Sequence, residues 1–389
     1  MRKFLLTLLG GIVICAACGG TYNRKSASLA EQASDVRDTL PSAAQPARAF
    51  STEAPAARPN ATAVAGDTVT ICVVGDIMMG TTYPRVQLPP DEGRELFRDC
   101  GDLLRRADVA CGNLEGAMTD GGKSTKRGGT HSYSFRMPTC FAPRLSEAGF
   151  DFLGLANNHA NDFGPDGIRS TERCLTEQGI GFAGIKGHEE SVVKEIGGIK
   201  YGFCAFGHNR YTLRHQETAE VRRIISDLRE RCDILIVSFH GGGEGGGFCH
   251  LPDGRETFLG EDRGSLREFA RISIDSGADL VYGHGPHVVR AVEVYKERFI
   301  AYSLGNFCTP YGISVSGING YAPAIEVKLG RDGRFLGGKI HSFVQQHGEG
   351  PHWDETCAPA REIKSLTEAD IQGRSFFIDN DGTIRIATE

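Results

Sequence analysis

Residues 279–307, DLVYGHGPHVVRAVEVYKERFIAYSLGNF, decide how the rest of the chain is read. Leu280 to Tyr282 form a short buried-strand pattern, and His284 and His287 follow at once. That is the carboxyl end of a strand, where open α/β sheets place their ligands. A second apolar run then ends in Ser303-Leu304-Gly305-Asn306-Phe307. The position of the imidazoles, more than their presence, marks a site on which upstream loops can converge.

Moving outward, apolar runs alternate with helical periodicity. Residues 69–74 predict a strand ending in Gly75-Asp76, and residues 92–106 a helix with Leu96, Phe97, Leu103 and Leu104 on one face. Residues 108–111, 152–155 and 180–183 read as strands, 138–149 and 165–178 as helices. Residues 192–196 and 200–206 make a hairpin at Gly197-Gly198. Helix 216–231 carries Val221, Ile224, Ile225 and Leu228 at helical spacing, and strand 234–239 then delivers His240. Another helix passes through Leu266, Phe269 and Ser273, and a late hairpin joins 324–329 to 335–344. This order predicts an α/β fold, a layered sandwich with mixed sheets, spanning residues 67–345. Residues 346–389 read as a C-terminal extension with no assigned role.

The chain has 389 residues, 40% apolar and 24% charged, with a net charge of -6. It is long enough for a sizeable core and offers no basic field for nucleic acid, which is excluded as a partner. Residues 1–18 combine Arg2-Lys3, a short apolar run and Ala16-Ala17 before Cys18, the pattern of a secretion leader. The leader is too short to span a bilayer. Its end resembles a bacterial lipobox, which implies lipidation at Cys18, membrane attachment through that lipid and a cell-envelope location. Residues 19–66 are Ala/Ser/Pro-rich without periodicity and read as a flexible tether. Of the 12 cysteines, ten lie scattered beyond Cys18 with no CxxC pair, and Cys72, Cys111 and Cys204 sit in apolar strand patterns.

Five strand ends carry groups of ligand type: Asp76, Asn113 with Glu115, Asn157 with Asn158 and His159, His240, and His284 with His287. Carboxylate, amide oxygen and imidazole suit divalent Mn, Fe or Zn. Each motif alone has a bland reading: Gly-Asp as a turn, a lone histidine as a core residue, Asn157, Asn158, Asn161 and Asp162 as caps. Five strand ends offering ligands together favour a metal site. His159 or His284 could serve as general acid or base. Glu244 and Glu293 are candidates to orient an imidazole. Asn113 and Asn306 are candidates to contact substrate, and Arg127, Arg290 and Tyr302 to contact an anionic ligand.

The ordered set GDIMMG, GNLEG, ANNHANDFG, SFHGGGEG, GHGPHVVRAVEVY and YSLGNF resembles the CapA family of bacterial capsule-synthesis proteins. The resemblance implies a calcineurin-like metallophosphoesterase fold and a role with poly-γ-glutamate or a related anionic capsule polymer, beside a capsule ligase and export proteins. By position it implies that Asp76, Glu115, Asn158, His240 and His287 hold metal. Three departures stand out: Met78 where phosphoesterases have histidine, Glu115 for aspartate, and Gly285-Pro286-His287 for His-Pro-His. They leave three functions open: a polymer-synthesis factor with a hydrolytic or transfer step, a general metal-dependent phosphoesterase, and a non-catalytic polymer-binding module.

Overall fold

The stretch 279–307 starts in one β-sheet and ends in another, and that crossing sets the architecture. The structure, a computed structural model, describes residues 68–127 and 132–387. The leader, Cys18 and the tether lie outside the described residues. In chain order the strands of the two large sheets are Thr68–Ile77 (β1), Val109–Leu114 (β2), Phe152–Gly154 (β3), Gly181–Ala183 (β4), Ser191–Ile196 (β5), Ile199–Phe206 (β6), Ile234–His240 (β7), Leu280–His284 (β8), Val292–Tyr295 (β9), Arg298–Ala301 (β10), Asn306–Cys308 (β11), Ala324–Gly330 (β12), Phe335–His341 (β13), Phe376–Ile378 (β14) and Thr383–Ile386 (β15). Sheet one runs β14-β15-β13-β12-β1-β2-β3-β4, with β11 also pairing β1. Sheet two runs β9-β10-β8-β7-β6-β5. Both are mixed: β1 through β4 are parallel, as are β6, β7, β8 and β10, while hairpins flank them. The layered mixed-sheet sandwich expected from the sequence is the observed fold.

Strand alternation builds the layers. In β1, Val69, Ile71 and Val73 enter the core between the sheets, while Cys72 and Val74 face the other way. In β6, Tyr201, Phe203 and Ala205 meet that same central core, and Cys204 and Phe206 turn outward. The outer face of sheet one packs on helices Gly101–Arg106 (α1), Ala142–Ala148 (α2) and Gly164–Glu177 (α3); that of sheet two packs on Thr218–Arg229 (α4) and Leu266–Asp275 (α5). Cys72, Cys111 and Cys204 are buried core residues, and no disulfide joins any described cysteine. No helix among the described residues is long and apolar enough to cross a membrane.

One element departs from expectation. The helix foreseen over 92–106 is helical only at α1, with a short 3-10 turn at Pro90–Gly93 before it. Asp91, Glu92 and Gly93 all adopt positive φ, which breaks the helix start. Leu96 and Phe97 are buried all the same, so the apolar pattern reported burial correctly and backbone conformation wrongly.

The C-terminal segment joins the main body. Helix Ala358–Asp370 (α6) sends Ala360, Ile363 and Leu366 into the central core, together with Phe376, Ile378 and Ile384 of β14 and β15. Thr367 Oγ1 accepts a hydrogen bond from Val292 N at 3.0 Å, fastening α6 to β9. Each large apolar side chain buried there contributes roughly 1.5–3 kcal/mol, so the group together matches a typical net stability of about 5–15 kcal/mol. Truncation after Gln345 is therefore expected to leave no cooperative thermal transition by circular dichroism. A truncated chain that melts cooperatively would show the segment to be dispensable.

Candidate metal centre and its cleft

After Ala301 the chain leaves sheet two, and Asn306 pairs in parallel with Asp76 of β1. The crossing is tight: a Cβ on Gly75 would lie 2.0 Å from Gly305 O, so β1 needs glycine there. Carboxyl ends of strands from both sheets thereby meet. Asp76, Glu115 and His240 place one ligand atom each within 4.8 Å of one another, all buried. His287 Nδ1 donates to Asp76 Oδ2 at 2.9 Å, and His159 Nε2 lies 3.9 Å from Glu115 Oε1. Asn158 lines the adjoining cleft.

Several buried atoms here make no hydrogen bond: Glu115 Oε1, Asn158 Oδ1 and both ring nitrogens of His240. Buried polar groups are normally satisfied, and an imidazole with both nitrogens unpartnered beside two carboxylates is the donor set a divalent cation completes. The residues fit such an ion. Electrostatics agree. Burial, then the neighbouring Asp76 carboxylate, pushes the Glu115 carboxyl well above its usual range. Burial and the nearby His208 push His240 well below, keeping its ring neutral with a lone pair available.

His287 titrates in the other direction. Burial alone would lower it, but the Asp76 carboxylate overcomes that and holds it at about 9. A histidine raised on folding gives stability that is complete below its unfolded value and lost as pH climbs through the folded one. The raised Glu115 carboxyl has the same sign. The lowered His240 and His284 act oppositely, adding stability until pH has passed their ordinary value of 6.5. Metal-free protein in a chelator is thus expected to lose melting temperature from about pH 7.5 to about 9.5, and a flat or rising curve over that window would contradict the His287–Asp76 pairing.

The other expected site residues sort as follows. Asn113 and Asn306 were candidates for substrate, and both are buried and committed inside the protein. Asn113 Nδ2 donates to Asp76 Oδ1 at 2.8 Å and Glu115 Oε2 at 2.6 Å, and its oxygen accepts from Asn157. Asn306 Oδ1 accepts from His287 at 3.1 Å, and its amide donates to the carbonyls of His287, Ser314 and Asn319. Those contacts pin His287 at a φ of 56, a strained value for a non-glycine residue. His284 is fully buried, shares a 2.9 Å hydrogen bond with Ser238, and is pushed down to about 4 by burial. Glu293 orients no imidazole, because it is taken by Arg271 and Tyr302, which also removes Tyr302 from any polymer surface. Arg290 is buried against Glu256. Met78 packs in the helix-side core of sheet one.

At Gly285 the backbone has no room for the histidine of the phosphoesterase pattern. Its φ is 117, and a Cβ would lie 2.4 Å from Gly241 O.

Sequence reasoning missed two neighbours of His159. Asp162, read as a turn cap, accepts from His159 Nδ1 at 2.8 Å and from Phe135 N at 2.7 Å. Lys126 Nζ lies 2.7 Å from Asp162 Oδ1 and 3.0 Å from His159 Nδ1, while Phe135 stacks on the ring at 4.2 Å. The i, i+3 spacing of His159 and Asp162 was a usable signal; Lys126, on a distant loop, left none.

Carboxylates and imidazoles gathered at the strand ends of a four-layer mixed sandwich define the class, a protein with a buried candidate metal centre between two sheets. More narrowly, the chain belongs to the bacterial capsule synthesis protein PGA_cap family, whose model matches residues 70–311. It is similar to the capsule biosynthesis protein CapA of Bacillus anthracis, 27% identical over 263 residues, covering 63% of this chain and 60% of that protein. It is also similar to the PGA biosynthesis protein CapA of Bacillus subtilis (strain 168), 27% identical over 286 residues, covering 68% and 69%. Among solved structures, a phosphatase from Mycoplasma pneumoniae aligns at 13% identity with a TM-score of 0.46, over 71% of this chain and 94% of that one.

Proposed function

We propose that this chain is an accessory protein of anionic capsule-polymer synthesis that acts at the cell envelope on poly-γ-glutamate or a closely related polymer through a divalent-metal centre. The observation that carries the reading is the buried trio of Asp76, Glu115 and His240, with ligand atoms left unpartnered beside an open cleft. Asp76, Glu115, Asn158, His240 and His287 would hold the ion. A bound divalent cation supplies Lewis acidity toward an acyl or phosphoryl oxygen. His159, fixed by Asp162 and stacked on Phe135, stands at the cleft to pass a proton. Export and attachment through lipid on Cys18 complete the proposal, with a capsule ligase and exporter as working partners.

A non-catalytic, polymer-binding role is the second reading, favoured by Met78 in the core and by the filled space at Gly285. Metal analysis and polymer assays separate the two. Under the first reading, purified protein carries at least one equivalent of Mn, Fe or Zn and changes the chain length of poly-γ-glutamate, and His159→Ala loses that activity. Metal-free protein that cannot be reloaded would end the catalytic reading. Activity on a simple phosphodiester but none on the polymer would move the assignment to a general phosphoesterase.

A further inference from the structure

The cleft beside the metal centre, about 320 Å³, has walls of opposite charge. One wall comes from the loops after sheet-one strands and carries Lys126, Arg127 and His159; the other comes from sheet-two loops and carries Asn209, Glu244, Glu261 and Arg263. On the first wall Lys126 is neutralised by Asp162, whereas Arg127 is exposed and has no ion-pair partner among the described residues. On the second, a single guanidinium serves two carboxylates: Arg263 Nη1 bonds Glu244 at 2.7 Å and Nη2 meets Glu261 at 3.1 Å. Carboxylates thus outnumber guanidinium groups on this wall, with the buried His208 ring lying 3.5 Å from Glu261 beside them. Arg263 is 3% exposed yet its Nε has no partner, and the Asn209 amide oxygen is likewise buried and unpartnered.

A uniformly anionic ligand suits only the Arg127 wall and is repelled from the other. From this polarity we infer that the cleft receives the free amino end of an amino-acid polymer, its ammonium at Glu261 and Glu244 and a neighbouring carboxylate at Arg127. The unpartnered Asn209 oxygen accepts from an ammonium or amide N–H, and Arg263 Nε donates to a carbonyl, so a peptide-like end satisfies what an acceptor-only phosphate cannot. The protein would then address chain ends rather than chain interiors. The inference rests on the capsule-polymer reading, and goes beyond it by naming which part of the polymer is read.

The test is calorimetric titration of the metal-loaded protein with a short γ-linked glutamate oligomer bearing a free amine, and with its N-acetylated twin. The free-amine oligomer is expected to bind at least about tenfold more tightly, the effect of one lost charge-assisted contact. Glu261→Gln should erase that difference, with Glu244→Gln as an independent check should the first variant misfold. Arg127→Ala should weaken both oligomers alike. Equal binding of the two oligomers by the unmodified protein overturns the chain-end inference and leaves the capsule-polymer reading intact. Binding of neither overturns the capsule-polymer reading itself, and the inference with it.

Discussion

Replacing Glu115 with glutamine is expected to strip divalent metal from the protein while making its metal-free fold more stable. The carboxylate is fully buried, its Oε2 accepts from Asn113 at 2.6 Å, and its Oε1 has no hydrogen-bond partner. Desolvation and the Asp76 charge both oppose its ionised form. Glutamine keeps the shape and removes the charge, which should return about 1–2 kcal/mol to the apo protein. The same change removes the anionic ligand that faces His240, 3.5 Å away. Metal affinity should fall by at least about 100-fold, since even substitutions behind the ligands cost about 10–100-fold. Plasma emission spectrometry of the purified variant measures the first effect, and urea denaturation in chelator measures the second. Full metal content in the variant would remove Glu115 from the ligand set. A less stable apo variant would mean that the charge is favourable in the empty site, contrary to its surroundings.

Sheet formation follows from local patterning: alternation in residues 69–74 and 200–206 already separates the two faces that pack on different cores. That Asp76, His240 and His287 would lie close together was legible from their places at or just past strand ends. Asn113 and Asn306 were legible as site residues but not in their roles. An amide at a strand end looks the same in sequence whether it faces a ligand or holds a carboxylate, and only tertiary packing decides. The failure over 92–106 has a similar cause, because burial of Leu96 and Phe97 is encoded by hydrophobicity while three consecutive positive φ values are imposed by context. The joining of residues 346–387 to the central core was invisible for want of a long periodic run linking α6 to strands far back in the chain.

The second large effect lies away from the ligands, at Arg290. Its guanidinium is completely buried and makes a two-pronged pair with Glu256, at 2.8 and 2.7 Å, while Nε donates to Phe248 O at 2.7 Å. Glu256 also accepts from Gly243 N at 3.0 Å. Arg290 follows His287 by three residues, and Gly243 follows His240 by three, so the pair staples together the two loops that carry candidate ligands. Arg290→Met removes one charge and leaves Glu256 buried without its counterion, which should cost about 3–5 kcal/mol. That is a large share of the stability of an ordinary domain. Removing both charges, in Arg290→Met with Glu256→Gln, leaves no orphaned ion, so the double variant should be more stable than Arg290→Met alone. Such non-additivity is the mark of a buried pair, as opposed to two independent contacts. Denaturant unfolding of the single and double variants measures it directly. If the double variant is the least stable, the two side chains matter mainly through packing, and the staple is not electrostatic. If the staple holds as described, the double variant recovers stability without fully recovering metal, because the loops bearing His240 and His287 lose the bidentate geometry that fixes their separation.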